Sequence, residues 1–345
     1  MDHARTRQTF VCRFLKWLFY IFVGLVVVIG VILIFFKVSA TSREVKLSSD
    51  VAPATGHFVQ TFDAKIFVQE SGPMTGQPVL LIPGTGAWSE IWRDTIDPLA
   101  TAGYRVIAID LPPFGFSEKL IGVSKYSREN QAKRIIGILD VLGIHTVILV
   151  GHSVGARPTI EAALENPERV AKLVLVDPAL GFQEDKEDTP HFEQNHPSFI
   201  VHVLFGIDSL RNAILSVYGT NPISIKPLVS SFVFQKSAIT DARVAMLQRG
   251  LVIKDVTQAN GDWLEYLTVR TDTSLSNDFT NFKKLTMPVG ILWGREDTVT
   301  PLWQGEALKK LIPNSQLVVL DNVGHIPFIE DTNSFNLALF ELLKK

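Results

Sequence analysis

Six short runs of almost unbroken apolar residues recur along the chain, at 79–82 (VLLI), 106–109 (VIAI), 147–150 (VILV), 173–176 (LVLV), 289–293 (VGILW) and 317–320 (LVVL). A strand with one wet face alternates apolar and polar residues, so runs like these must be covered on both faces. Segments of helical periodicity follow them, at 91–102, 128–142, 155–165, 304–311 and 334–343. This alternation predicts a mostly parallel sheet between two layers of helix. Residues 58–62 and 66–69, joined around Asp63-Ala64-Lys65, predict an antiparallel hairpin leading into it, which makes eight strands. With 46% hydrophobic residues, the 345-residue chain has a core to bury. Its formal net charge of −2 supplies no basic face for nucleic acid.

Residues 17–36 (WLFYIFVGLVVVIGVILIFF) carry no charge, and at ~1.5 Å per residue their length matches a ~30 Å hydrocarbon core. They predict one transmembrane helix near the amino terminus. The basic start and the small residues Val38-Ser39-Ala40 also suit a cleaved signal, but a signal's apolar stretch is usually ~7–15 residues, so an uncleaved anchor is preferred. Gly24 and Gly30 are six apart, not the four of the small-residue dimerisation spacing. Arg5, Arg7, Arg13 and Lys16 precede the run, while Lys37, Arg43 and Lys46 follow it. The positive-inside rule then places the body of the protein outside the cytoplasm. Cys12 is the lone cysteine, which excludes an intramolecular disulfide and a thiol zinc site. Beside the apolar run it reads as an incidental thiol.

The strand–helix rhythm breaks from about 181 to 284, where helical periodicity and turns such as Asn195-His196-Pro197 and Thr220-Asn221-Pro222 replace strands. Phe192, Phe199, Phe205, Phe232, Phe234, Trp263 and Tyr266 make this stretch too apolar for a linker, and each is expected to be buried. It reads as an inserted helical lid. The acidic cluster at 184–188 is expected to be a solvated loop. The division is 1–46 for the tail and anchor, 47–180 with 285–345 for the core, and 181–284 for the lid.

Directly after the 147–150 run stands Gly151-His152-Ser153-Val154-Gly155, a G-x-S-x-G in strand–turn–helix context. From about residue 55 to the end, apart from the lid, the chain resembles the α/β-hydrolase superfamily. The resemblance implies that Ser153 is a nucleophile raised on a strained elbow, and that a base and an acid follow in the order Ser…Asp…His. Of eight histidines, His325 alone follows the last strand, where a loop can carry it over the sheet edge; it is the expected base. Asp297, after the 289–293 strand, is the expected acid, with Asp177 in Val176-Asp177-Pro178 as competitor. Glu296 reads as a loop carboxylate. The backbone N–H groups of Thr85 and Val154 are the implied oxyanion donors. Pro83-Gly84 stands where relatives usually have His-Gly, and Pro113, in the loop after the fourth strand, stands where glycine is common.

These residues imply a membrane-anchored serine hydrolase that cleaves a carboxylic ester or related acyl bond in a small, apolar substrate. No cofactor is implied: Gly84-Thr85-Gly86 lacks the third glycine of a dinucleotide loop, and no H-E-x-x-H metal pair occurs. An acyltransferase or carbon–carbon bond hydrolase would use the same three side chains. A non-catalytic membrane receptor would have no need of them. Dehalogenase and epoxide hydrolase chemistry is disfavoured, since such relatives carry an aspartate at the position of Ser153.

Overall fold

The computed structural model describes residues 2–182, 199–269 and 273–344. The acidic cluster at 184–188, Phe192 and the Asn195-His196-Pro197 turn lie outside them. The strands are β1 (His57–Gln60), β2 (Lys65–Ser71), β3 (Pro78–Ile82), β4 (Arg105–Ile109), β5 (Val147–His152), β6 (Val170–Val176), β7 (Val289–Gly294) and β8 (Ser315–Leu320). They form one sheet in the order β1-β2-β4-β3-β5-β6-β7-β8. The hairpin pairing and β2–β4 are antiparallel; every other neighbour is parallel.

Unbroken apolar runs feed both faces because successive side chains point opposite ways. Leu80, Ile107, Leu149 and Leu173 enter one core cluster, while Val79, Val106, Ile148 and Val174 enter the other. Each fully buried side chain of this kind contributes ~1.5–3 kcal/mol relative to exposure. The helices, in chain order, are α1 (Asp2–Arg43), α2 (Ser48–Val51), α3 (Arg93–Thr101), α4 (Arg128–Val141), α5 (Ala156–Glu165), α6 (Phe199–Gly206), α7 (Asp208–Val217), α8 (Pro222–Phe232), α9 (Asp241–Gln248), α10 (Val256–Val269), α11 (Trp303–Leu311), α12 (Pro327–Glu330) and α13 (Thr332–Lys344). Ile135 and Ile138 of α4 and Ile160 of α5 cover the first face; Ile96 and Leu99 of α3 and Leu339 and Leu342 of α13 cover the second.

Three local expectations need correction. Phe62 lies in the hairpin turn, outside β1, because Thr61 closes that turn by donating its N–H and its hydroxyl to the Ala64 carbonyl, both at 2.9 Å. The helix expected from 91 starts as a tighter 3-10 turn at Ser89–Trp92. Most consequentially, the apolar helix runs well beyond 17–36. Its last turns hold because Ala40 is buried and the Arg43 guanidinium donates to the carbonyls of Leu251 (3.0 Å) and Thr220 (2.8 Å). Among the described residues, one unbroken helix, Arg13–Arg43, is long and apolar enough to cross a membrane, and most of its apolar side chains are exposed.

Between β6 and β7 the described residues are helical or loop. The aromatics there are less buried than expected. Phe205, Phe232, Trp263 and Tyr266 are half-buried and Phe234 is 50% exposed. Phe232 and Trp263 pack against the core on one side and line a cavity on the other.

Candidate active site

β3 leads to β4 on one side of the sheet centre and β5 lies on the other, so a crevice opens between the carboxyl ends of β3 and β5, where α/β sheets usually bind ligands. Ser153 follows β5 and Thr85 follows β3 at this point. The chain reverses from β5 into α5 within three residues, and Ser153 takes a φ of 53° to do so. Such a conformation costs a non-glycine residue ~1–3 kcal/mol. The flanking glycines are steric necessities: a Cβ on Gly151 would stand 2.6 Å from Thr159 Oγ1, and one on Gly155 only 2.3 Å from the Pro83 carbonyl oxygen. Gly84 is equally constrained, since its Cβ would lie 2.7 Å from Ser153 Cβ. The Pro83-Gly84 departure thus still lets the loop pass close over the nucleophile position. Thr85 and Val154 both line the cavity beside Ser153.

His325, in the loop after β8, lies with Nε2 2.8 Å from Ser153 Oγ, the hydroxyl donating. On its other side Nδ1 donates to Asp297 Oδ2 at 2.7 Å. Asp297 also accepts the N–H groups of Val299 (2.7 Å) and Thr300 (2.9 Å) and the Thr300 hydroxyl (2.6 Å). Burial would raise this carboxyl, but the hydrogen bond from His325, its charge and the Thr300 donors outweigh burial and hold it below the usual range. Asp177 is brought near but meets a different partner. Its Oδ1 accepts the Gly294 N–H at 2.8 Å, and it has no hydrogen bond to His325 among the described residues. Complete burial, followed by the charge of Asp297, raises Asp177 well above the ordinary carboxylate range. Glu296 accepts the Val323 N–H at 2.9 Å and pins the loop that carries the histidine.

Three contributors were not anticipated. Thr300 supports Asp297, and the Asp-x-x-Thr spacing that places an oxygen over N–H groups two and three residues on was a readable signal. Glu330 gives its carboxylate to the N–H groups of Gly324 (3.0 Å), Ile326 (3.1 Å), Phe234 (2.8 Å) and Gln235 (2.9 Å), tying the His325 loop to the end of α8. Nothing local in the sequence marks it. His152 donates Nε2–H to the His325 carbonyl at 2.8 Å and packs edge-on to Phe328.

Burial, then the neighbouring His325, pushes His152 down from 6.5 to about 3. The unfolded chain therefore binds this proton between those values and the folded chain does not. Stability from neutral His152 is complete above about pH 6.5 and is lost as pH falls towards 3. The urea midpoint is expected to drop on going from neutral to mildly acidic buffer, and His152→Gln, which keeps a donor but cannot protonate, should drop less. Equal pH slopes in the two proteins would refute this.

Ser153 and His325 open on a cavity of about 330 Å3, within the range of small-molecule sites. Leu215 of α7, Ile225, Leu228 and Val229 of α8, and Trp263 and Leu264 of α10 form its far wall. Among the described residues, no Lys, Arg, Asp or Glu lines it.

A strand–elbow–helix serine, an imidazole on the loop after the last strand and an eight-stranded crossover sheet define a class. A model of the alpha/beta hydrolase fold matches residues 77–332, and the chain is a hydrolase belonging to that family. It is 31% identical over 265 residues to a 2-hydroxy-6-oxononadienedioate/2-hydroxy-6-oxononatrienedioate hydrolase of Paraburkholderia phymatum, covering 76% of this chain and 83% of the relative. A meta-cleavage product hydrolase from Pseudomonas fluorescens IP01 superposes with a TM-score of 0.65 at 26% identity, over 84% of this chain and 98% of that one. A membrane phospholipase A shares the fold alone, at 23% identity and a TM-score of 0.63 over 96% of this chain and 98% of that one.

Proposed function

We propose that this chain hydrolyses a bond to a carbonyl carbon in a small, largely apolar substrate, a carbon–carbon bond beside a ketone in the first instance. The relatives named above support that bond type over the carboxylic ester first expected. The observation that carries the chemistry is the Ser153–His325–Asp297 chain of 2.8 and 2.7 Å hydrogen bonds opening on the apolar cavity. Ser153 Oγ adds to the carbonyl carbon as His325 takes its proton, and Asp297 holds the imidazole in the tautomer that accepts it. The N–H groups of Thr85 and Val154 meet the oxyanion. The bond to the leaving group breaks with its electron pair, and His325 returns the proton to the departing atom. Water, activated by the same histidine, then releases the acid from Ser153.

A carboxylic ester is the second reading, and the cavity favours it: a dienedioate brings two carboxylates, yet no cationic side chain lines the described walls. In the same reading the helices between β6 and β7 act as the lid, α1 anchors the enzyme, and the basic residues ahead of it keep the body outside the cytoplasm. Purified protein given a 2-hydroxy-6-oxo-dienedioate, the matching ketone with an alkyl group in place of the distal carboxylate, and p-nitrophenyl esters should prefer the apolar ketone by roughly tenfold or more in kcat/KM over the dioate. Turnover of esters alone would remove the carbon–carbon reading, and preference for the dioate would contradict the role given to the cavity.

A further inference from the structure

α1 leaves its apolar run at Phe36 and meets the body of the protein beside a second cavity, of about 260 Å3, far larger than the ~10–15 Å3 that one water needs. Lys37, Ala40, Thr41 and Glu44 line it. Their spacing is i, i+3, i+4 and i+7, so a single face of the helix forms one wall. The opposite wall comes from α7 and the turn before α10, which brings Lys254 and Asp255. Most of the residues that line it are polar or charged by type, in contrast to the cavity at Ser153.

Glu44 is already committed, for its carboxylate accepts from both the hydroxyl and the N–H of Thr257. Lys37, Lys254 and Asp255 form no ion pair among the described residues, so two exposed lysines and one exposed aspartate border the recess with their charges uncommitted. The position is informative. A headgroup layer is roughly 5–7 Å deep on each side of the hydrocarbon core, and Lys37 to Thr41 climb ~6 Å from its edge. If α1 spans a bilayer, as the reading above has it, the cavity opens at the depth of the lipid phosphates.

We infer that this cavity binds the phosphate of a glycerophospholipid headgroup, with Lys37 and Lys254 on the phosphate oxygens and Asp255 beside an ammonium on the same headgroup. A phosphate accepts charge-assisted bonds from two lysines at once, and a carboxylate one residue from Lys254 selects for a headgroup that also carries positive charge. The site is separate from the acyl cavity and would hold a lipid that is not hydrolysed.

Native mass spectrometry of the full chain, released from detergent micelles supplied with phosphatidylethanolamine, tests it. The wild type should carry lipid adducts. K37Q/K254Q should carry roughly tenfold fewer, while it turns over the best soluble substrate at the wild-type rate and Lys16→Gln, at the other end of the apolar run, keeps its adducts. Equal adducts in the double variant would overturn the inference, as would displacement of the lipid by inorganic phosphate alone, which would make this a site for the free ion. Flotation with phosphatidylethanolamine–phosphatidylglycerol vesicles tests the span separately. A chain that fails to float yet shows lysine-dependent adducts keeps the site and loses the anchor; one that floats with lysine-independent adducts does the reverse.

Discussion

Ser153→Ala is expected to lower kcat by ~10⁵-fold while leaving the fold intact. The hydroxyl oxygen is the one heavy atom of the protein that bonds covalently to substrate in the proposed sequence. With it gone, His325 has nothing to deprotonate at 2.8 Å, and only oxyanion donors and binding remain, a residue of catalysis of ~10³–10⁴ over water in comparable sites. The stability cost should be small, because the elbow is held by Gly151 and Gly155 packing on Thr159 and Pro83, not by the hydroxyl. Steady-state kinetics with the best substrate, alongside urea melts, separates the two effects. Activity within tenfold of wild type in a folded Ser153→Ala protein would mean that attack on the carbonyl does not pass through this residue.

The second large effect falls on Asp297. Asp297→Asn retains an oxygen for the Val299 and Thr300 N–H groups, so its amide nitrogen must face His325 Nδ1. Both atoms then present hydrogens unless Nδ1 loses its own, and the imidazole is driven to the tautomer with its proton on Nε2. That tautomer cannot accept from Ser153. A loss of ~10⁴-fold in kcat is expected. Asp177→Asn makes the contrasting case: a buried carboxyl whose neutral form is favoured by burial and by the charge of Asp297 is replaced by a neutral group that still accepts from Gly294. Activity should stay within a few-fold. Reversed outcomes, a severe Asp177→Asn and a mild Asp297→Asn, would reassign the acid.

The sheet was legible because a strand buried on both faces cannot hide its composition. Runs such as VLLI and VILV admit no amphipathic reading, and their order along the chain, with the Gly-x-Ser-x-Gly after the fifth strand, carried the family with it. The candidate triad was legible for a related reason: each member follows a strand, and strand ends are where these runs stop. The supports were less visible. Glu330 joins two N–H groups of its own loop to two others 95 and 96 positions away, and His152 works through a carbonyl 173 positions away. Such contacts depend on tertiary proximity that no local pattern encodes. The helix that outran its apolar stretch shows the same limit, since Arg43 is held by Leu251 and Thr220, residues that meet it only in the folded chain. The aromatics between β6 and β7 misled in the other direction: apolar side chains imply removal from water, but a cavity wall satisfies that demand only in part.

Whether Ser153 is an activated nucleophile can be read directly by mass. Folded wild-type protein treated with a fluorophosphonate should gain one adduct, mapped by peptide sequencing to Ser153 and absent from both Ser153→Ala and His325→Ala. A folded wild type that takes up no adduct, or takes it up elsewhere, would contradict the account.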